Sequence, residues 1–98
     1  MNNDIRNALL DLFSVCLEVN GAGQWNAHMN YSAHTEGVNV YVLPADNDYQ
    51  AKGYKYTLWH EVWVSEEHGG TPEEVVANLK ALSDRVSEFL LPAQEEAA

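Results

Sequence analysis

The sequence has little of what marks several common classes of protein. Cys16 is its single cysteine, so no intrachain disulfide can form, which is typical of a reducing compartment such as the cytoplasm. No stretch approaches the roughly 18 uninterrupted apolar residues that a membrane-spanning helix needs. The first residues also lack the basic start and apolar run of a signal peptide. We therefore expect a cytoplasmic protein that does not act at a membrane.

Basic residues are also few. Five lysines and arginines stand against 15 acidic residues, giving a formal net charge of −10, and the bases are scattered at Arg6, Lys52, Lys55, Lys80 and Arg85. Proteins that bind nucleic acids or anionic membranes need clustered bases, so we expect neither as a direct partner. The acidity would attract a protein with a basic surface. The simpler interpretation is that it keeps the chain soluble.

The length and the pattern of apolar residues predict one small α+β domain. With 98 residues, 46% of them hydrophobic, the chain can form one packed core. We expect residues 1–92 to form this compact domain and residues 93–98 to form a flexible acidic C-terminal tail.

The predicted elements follow the order α-β-β-β-α. Residues 3–19 predict a helix with an apolar stripe of Ile5, Leu9, Leu10, Leu12, Phe13, Cys16 and Leu17. Alternating side chains predict strands at 24–32, 38–43 and 54–65, followed by a loop at 66–70. Thr71-Pro72-Glu73-Glu74 then combines a capping threonine, an early proline and a capping-box glutamate, which predicts a helix to about residue 91. We expect a three-stranded antiparallel sheet with both helices packed on one face.

The third strand determines what lies on the other face. One side of it carries Tyr56, Leu58, His60, Val62 and Val64, and the other carries Thr57, Trp59, Glu61 and Trp63. Alternation does not by itself say which side is buried. We expect the more aliphatic set to face the core, which leaves both tryptophans on the outer face.

The sequence predicts no catalytic residue, metal site or cofactor. His60-Glu61 begins like the zinc-protease motif H-E-x-x-H, but Val64 stands where the second histidine is required, and the segment predicts a strand instead of a helix. Cys16 lies on an apolar helix stripe with no base placed near it, and no serine has a G-x-S-x-G setting.

Two surfaces are candidates for contact with a partner. The first is an acidic patch of Glu61, Glu66, Glu67, Glu73 and Glu74, which could equally be a solvated and capped helix start. The second is the outer sheet face with His28, Asn30, Tyr41, Trp59 and Trp63, because exposed aromatic side chains often anchor protein contacts.

These surfaces favour a non-catalytic protein-binding module. A sharper hypothesis is an inhibitor of the kind made by phages and mobile elements, whose acidic surface imitates nucleic acid and blocks a basic protein groove. One alternative is a homodimer or assembly component that pairs through the open sheet face. Another is a small-molecule binder or minor enzyme using His28, Tyr41 and Trp59. The chain resembles double-stranded-RNA-binding domains in element order alone, since it lacks the bases that their function needs.

Overall fold

Helix α1, Asn3–Ala22, begins and ends at residues suited to capping. The structure is a computed structural model that describes residues 2–46 and 56–91, apart from the side chain of Glu66. The side-chain oxygen of Asn2 accepts the backbone N–H groups of Asp4 and Ile5, at 2.6 and 3.2 Å. Gly23 ends the helix with a φ of 86° and donates its N–H to the carbonyl of Asn20. The helix thus continues past the predicted end at residue 19.

Three antiparallel strands form an open sheet in the order β1-β2-β3. They are β1 (Trp25–Ser32), β2 (Gly37–Pro44) and β3 (Leu58–Trp63). Their register places Ala27, Val42 and Leu58 in one row across the sheet. These three residues are buried, so they lie on the inner face, and every second residue along each strand shares that face.

The core lies between the inner face and two long helices. Helix α1 packs against β1, helix α3 (Pro72–Ser87) packs against β3, and the two helices pack against each other. The fully buried side chains of these layers are Leu12, Val19, Val38, Val40, Val42, Val75, Leu79, Leu82 and Val86, and Leu43 is fully buried on the outer face. The predicted α+β class and the order α-β-β-β-α are confirmed.

A short helix occupies part of the region predicted as a loop. Helix α2, Glu66–Gly69, begins after Ser65, whose hydroxyl accepts the backbone N–H of His68 at 3.3 Å. Helix α3 follows at Pro72–Ser87 and continues into a 3₁₀ turn, Glu88–Leu90. The prediction of a loop at 66–70 was wrong in part, because a helix of four residues is too short to produce a periodic pattern.

The apolar stripe predicted for α1 is wider than the core can cover. Leu12 and Cys16 are buried, whereas Leu10, Phe13 and Leu17 are 54%, 50% and 54% exposed. At 3.6 residues per turn, the exposed group lies roughly 110° around the helix from the buried group. The sheet and α3 cover one side of α1 alone, so the helix presents a second apolar side to solvent.

Asn20 connects α1 to the outer edge of the sheet. Its side-chain oxygen accepts the backbone N–H of Ala27 at 2.6 Å, and its amide nitrogen donates to the carbonyl of Ala27 at 3.0 Å. Because β1 is an edge strand, these backbone groups have no strand on that side in the described sheet. One amide therefore satisfies both of them.

The capping box of α3 gives the fold a defined dependence on pH. The Glu74 carboxylate accepts the Thr71 backbone N–H at 3.0 Å, and the Thr71 hydroxyl accepts the Glu74 N–H at 3.2 Å. The bond from the Thr71 backbone, followed by the one with its hydroxyl, lowers the pKa of Glu74 below its usual value of 4.5. Because the charged form is favoured in the folded state, this stabilisation exists above that pH and is lost as the pH falls through the folded pKa.

We expect Glu74→Gln to lower the free energy of unfolding at neutral pH, with a difference from the unsubstituted protein that shrinks below about pH 4.5. Urea unfolding at a series of pH values from 3 to 7 measures this difference. The control is Glu73→Gln, which removes the same charge at the preceding residue, whose side chain takes no part in the capping box. A difference for Glu74→Gln that stays constant across the series would contradict the role of the carboxylate.

Two predicted segments lie outside the described residues. The start of the third strand, at residues 54–55, is one of them, and the acidic tail at 93–98 is the other. Within the described part, β3 begins at Leu58.

Candidate functional site

The outer face of the sheet carries the aromatic residues that the sequence places there. Trp59 pairs across the strands with Tyr41, which pairs with His28, so three rings lie in one row across all three strands. Neither α1 nor α3 covers this side, because both pack on the inner face. We define the aromatic face as the outward residues of this region: His28, Asn30, Asn39, Tyr41, Trp59, Glu61 and Trp63.

The aromatic row is held in place by contacts between its rings. His28 and Tyr41 stack with their centroids 4.6 Å apart and their planes 12° from parallel. Tyr56 lies against Tyr41, at 5.1 Å between centroids. Trp59, at the end of the row, is 51% exposed. The row thus combines fixed central rings with an indole available for contact.

Tyr56 and His60 were expected to face the core, but both are exposed. Tyr56 is exposed and its ring contacts Tyr41 on the outer side, because β3 begins at Leu58 and alternation does not extend back to residue 56. His60 lies in the inner row with Val40 but is exposed, because β3 is an edge strand. The rest of the prediction agrees with the structure, since Leu58, Val62 and Val64 are buried.

Trp63 occupies the opposite end of the aromatic face and lies over a glycine. Gly37 is its partner on β2, and a Cβ atom at Gly37 would come within 3.0 Å of two atoms of the Trp63 ring. The His68 ring of α2 lies 5.6 Å from Trp63. Trp63 is therefore less exposed than Trp59, at 36%.

Gly37 and His68 are neighbours of Trp63 that the sequence pattern did not indicate. Gly37 precedes the strand predicted at 38–43, but it is the first residue of β2. His68 reaches the tryptophan because α2 turns back toward β3, and a helix was not predicted there. The available signal was Ser65, a preferred helix-capping residue three positions before His68.

A polar row separates the two tryptophans. The Asn30 amide nitrogen donates to the side-chain oxygen of Asn39 at 3.2 Å. Asn39 pairs across the strands with Glu61, which is exposed. The aromatic face therefore has a carboxylate between Trp59 and Trp63 along β3.

The residues of the predicted acidic patch occupy several different settings. Glu61 lies on the aromatic face, and Glu67 lies on α2, where its carboxylate is 4.0 Å from the imidazole of His68. Glu74 is held in the capping box. Glu73 lines a groove between α1 and α3, together with Asp4, Asp11 and Lys80. For Glu66, the structure describes the backbone position in α2.

Cys16 lies in an environment that disfavours its reactive form. Its thiol is buried on the core side of α1, and burial raises the pKa of that thiol above its usual value. The thiolate is the nucleophile, so little of it exists near neutral pH. The position is that of a small apolar core residue.

Within residues 2–46 and 56–91, no group of three or more histidine, cysteine, aspartate or glutamate side chains could hold a metal ion. In the same part of the chain, no helix combines the length and apolar character needed to cross a membrane.

Comparisons with known proteins give no relative for this chain. No family model, curated protein or solved structure matches it.

Proposed function

We propose that this protein is a non-catalytic binding module that contacts the basic surface of another protein through its aromatic face. The observation that carries the proposal is the half-exposed Trp59, at the end of an ordered aromatic row on the side of the sheet that α1 and α3 leave open. A reducing, cytoplasmic setting belongs to the proposal because the single thiol is unpaired and buried.

The aromatic face has the physical properties of a protein contact. Burying an exposed indole removes a large apolar area from water, and tryptophan and tyrosine are enriched among residues that dominate binding energy. The stacked rings of His28 and Tyr41 are already ordered, so less side-chain entropy is lost on binding. Strands hold these side chains on a rigid base.

Charge favours a basic partner over an acidic or neutral one. The chain carries a net charge of −10, which attracts positively charged surfaces. Glu61 lies between the two tryptophans along β3, while the described bases Arg6, Lys80 and Arg85 lie on the helices. An arginine of the partner could stack on Trp59 and pair with Glu61 at once.

A sharper form of the proposal is imitation of nucleic acid. In that form, the partner's basic surface is a groove that binds phosphates, and exposed acids such as Glu61 and Glu67 occupy it. Support comes from the exposure of these carboxylates and from the net charge. Binding would then weaken steeply as salt rises, because screening acts on each charge pair.

The test is a comparative affinity capture from a lysate of the organism that encodes the chain, using matched variants as bait. We expect a basic protein to be retained by the unsubstituted protein and lost, by about tenfold or more, with Trp59→Ala or Glu61→Gln. The control is Glu88→Gln, which makes the same charge change on the exposed 3₁₀ turn after α3. Quantitative mass spectrometry measures retention.

Folding of the variants must be checked in parallel. Trp59 is half-exposed, so Trp59→Ala should change the free energy of unfolding by less than about 1 kcal/mol. The proposal fails if the captured proteins are acidic. It also fails if a basic protein is retained equally by all four baits.

A further inference from the structure

The exposed side of α1 is a second apolar surface, separate from the aromatic face. Leu10, Phe13 and Leu17 recur at spacings of three and four along α1, so they form one line on the helix. We define these three residues as the α1 stripe. A line of three half-exposed large apolar side chains is more than the isolated exposed residues that are normal on protein surfaces.

A groove runs beside the N-terminal half of the α1 stripe, between α1 and the edge strand β1. It is lined by Arg6 and otherwise by apolar or aromatic side chains, namely Leu9, Leu10, Phe13, Met29 and Tyr31. Tyr31 is 46% exposed at its end. The groove and the stripe together offer a continuous apolar surface with one positive charge.

We propose that a second copy of this chain binds here, with α1 packed antiparallel against α1 of the partner copy. The α1 stripe complements itself, because Leu10 and Leu17 lie at equal distances from a point between Phe13 and Ser14. A two-fold axis through that point places Leu10 against the partner's Leu17 and the two Phe13 rings together. The Leu17 of each copy then enters the groove of the other.

Charge supports the antiparallel orientation. In that register, Arg6 faces position 21 of the partner's α1, close to its C-terminus. The last turn there consists of uncharged residues, and its carbonyls carry the negative end of the helix dipole. A side chain at position 21 would meet nothing within 4 Å, so there is room for the guanidinium. Arg6 has no ion-pair partner among residues 2–46 and 56–91.

Salt should act on this dimer in the opposite direction from the proposed basic contact. Each copy carries a net charge of −10, so the two copies repel each other at long range. The contact itself is mainly apolar and is not screened by salt. Raising the ionic strength should therefore strengthen the dimer or leave it unchanged, whereas it should weaken the contact of the aromatic face with a basic protein.

Sedimentation equilibrium between about 1 and 200 μM tests the proposal, with protein concentrations bracketing the micromolar affinities common for modest interfaces. We expect the mass to rise from the monomer value of 11.0 kDa toward twice that value. Phe13→Glu should weaken the dimer by about 30-fold or more, as expected for a central aromatic anchor. Leu17→Glu gives a second disruption of the α1 stripe, and circular dichroism verifies that each variant is folded.

The control variant is Trp59→Glu, which introduces the same charge on the aromatic face and should leave the dimer intact. A chain that remains a monomer at the highest concentration would overturn the proposal. So would a dimer that Trp59→Glu dissociates and both α1 variants leave unchanged, since that result would assign self-association to the sheet face. Neither result bears on the binding of a basic protein, which Trp59→Ala and Glu61→Gln test separately.

Spin labels test the orientation of the helices. Labels attached at residue 14 lie near the two-fold axis and should be separated by about one interhelical distance, about 10 Å at the backbone. Labels at residue 3 should be roughly 30 Å apart along the axis, from a rise of 1.5 Å per residue. Short distances at both positions would indicate parallel helices and contradict the proposed register.

Discussion

Leu12→Ala is expected to lower the free energy of unfolding by about 2–5 kcal/mol, as for other fully buried leucines. Leu12 is 0% exposed and lies in the core that α1 forms with the sheet and α3. The substitution removes apolar contacts and leaves a cavity, which the surrounding strands and helices can fill only partly. Urea unfolding followed by circular dichroism measures the change at one fixed protein concentration.

The matched control is Leu91→Ala, at the C-terminal end of the described residues. Leu91 is 52% exposed, so the same substitution should change stability by less than about 1 kcal/mol. The slope of the free energy against urea should be the same for both variants, since each exposes a similar surface on unfolding. Equal losses at the two positions would mean that α1 does not face the sheet through Leu12.

Gly69→Ala is expected to destabilise the protein by about 1–3 kcal/mol, the usual cost of overpacking. A Cβ atom at Gly69 would collide with the backbone carbonyl of Trp63 and lie 2.9 Å from a methyl carbon of Val75. The backbone carbonyl belongs to β3 and cannot rotate away as a flexible side chain could. Either α2 must move or β3 must bend at the end that carries Trp63.

Gly21→Ala provides the opposite case within the same chain. Gly21 lies inside α1, and a Cβ atom there would meet nothing within 4 Å. Alanine favours the helix, so this variant should be more stable by about 0.5–1 kcal/mol. Thermal or urea unfolding measures the stability of both variants. A Gly69→Ala protein as stable as the unsubstituted one would show that α2 does not pack closely on β3.

Alternation of side chains carried most of the information about the sheet. The outward position of Trp59 and Trp63 was predictable because Leu58 and Val62 gave β3 one clearly aliphatic side. Such a pattern fails where the strand itself stops, which is why Tyr56 was placed on the wrong side. It also cannot show that an edge strand leaves His60 exposed, because exposure there depends on what lies beside the sheet.

Helix periodicity predicted less about α1. A stripe of apolar residues shows that some side is buried, but not how wide an arc the neighbouring layers cover. Leu12 and Phe13 are adjacent in sequence, but Leu12 is buried against α3 and the sheet, whereas Phe13 is half-exposed. The positions of the acidic residues were equally beyond the sequence, because the turn of α2 and the start of α3 determine where each carboxylate lies.

The pair of hydrogen bonds between Asn20 and Ala27 has a consequence for the behaviour of the protein in concentrated solution. An unprotected edge strand can recruit further strands and begin fibril growth. The Asn20 amide occupies both the donor and the acceptor that an incoming chain would need at Ala27. The Asn20 side chain of α1 thus prevents another strand from pairing with β1 at Ala27 and so disfavours open-ended polymerisation there.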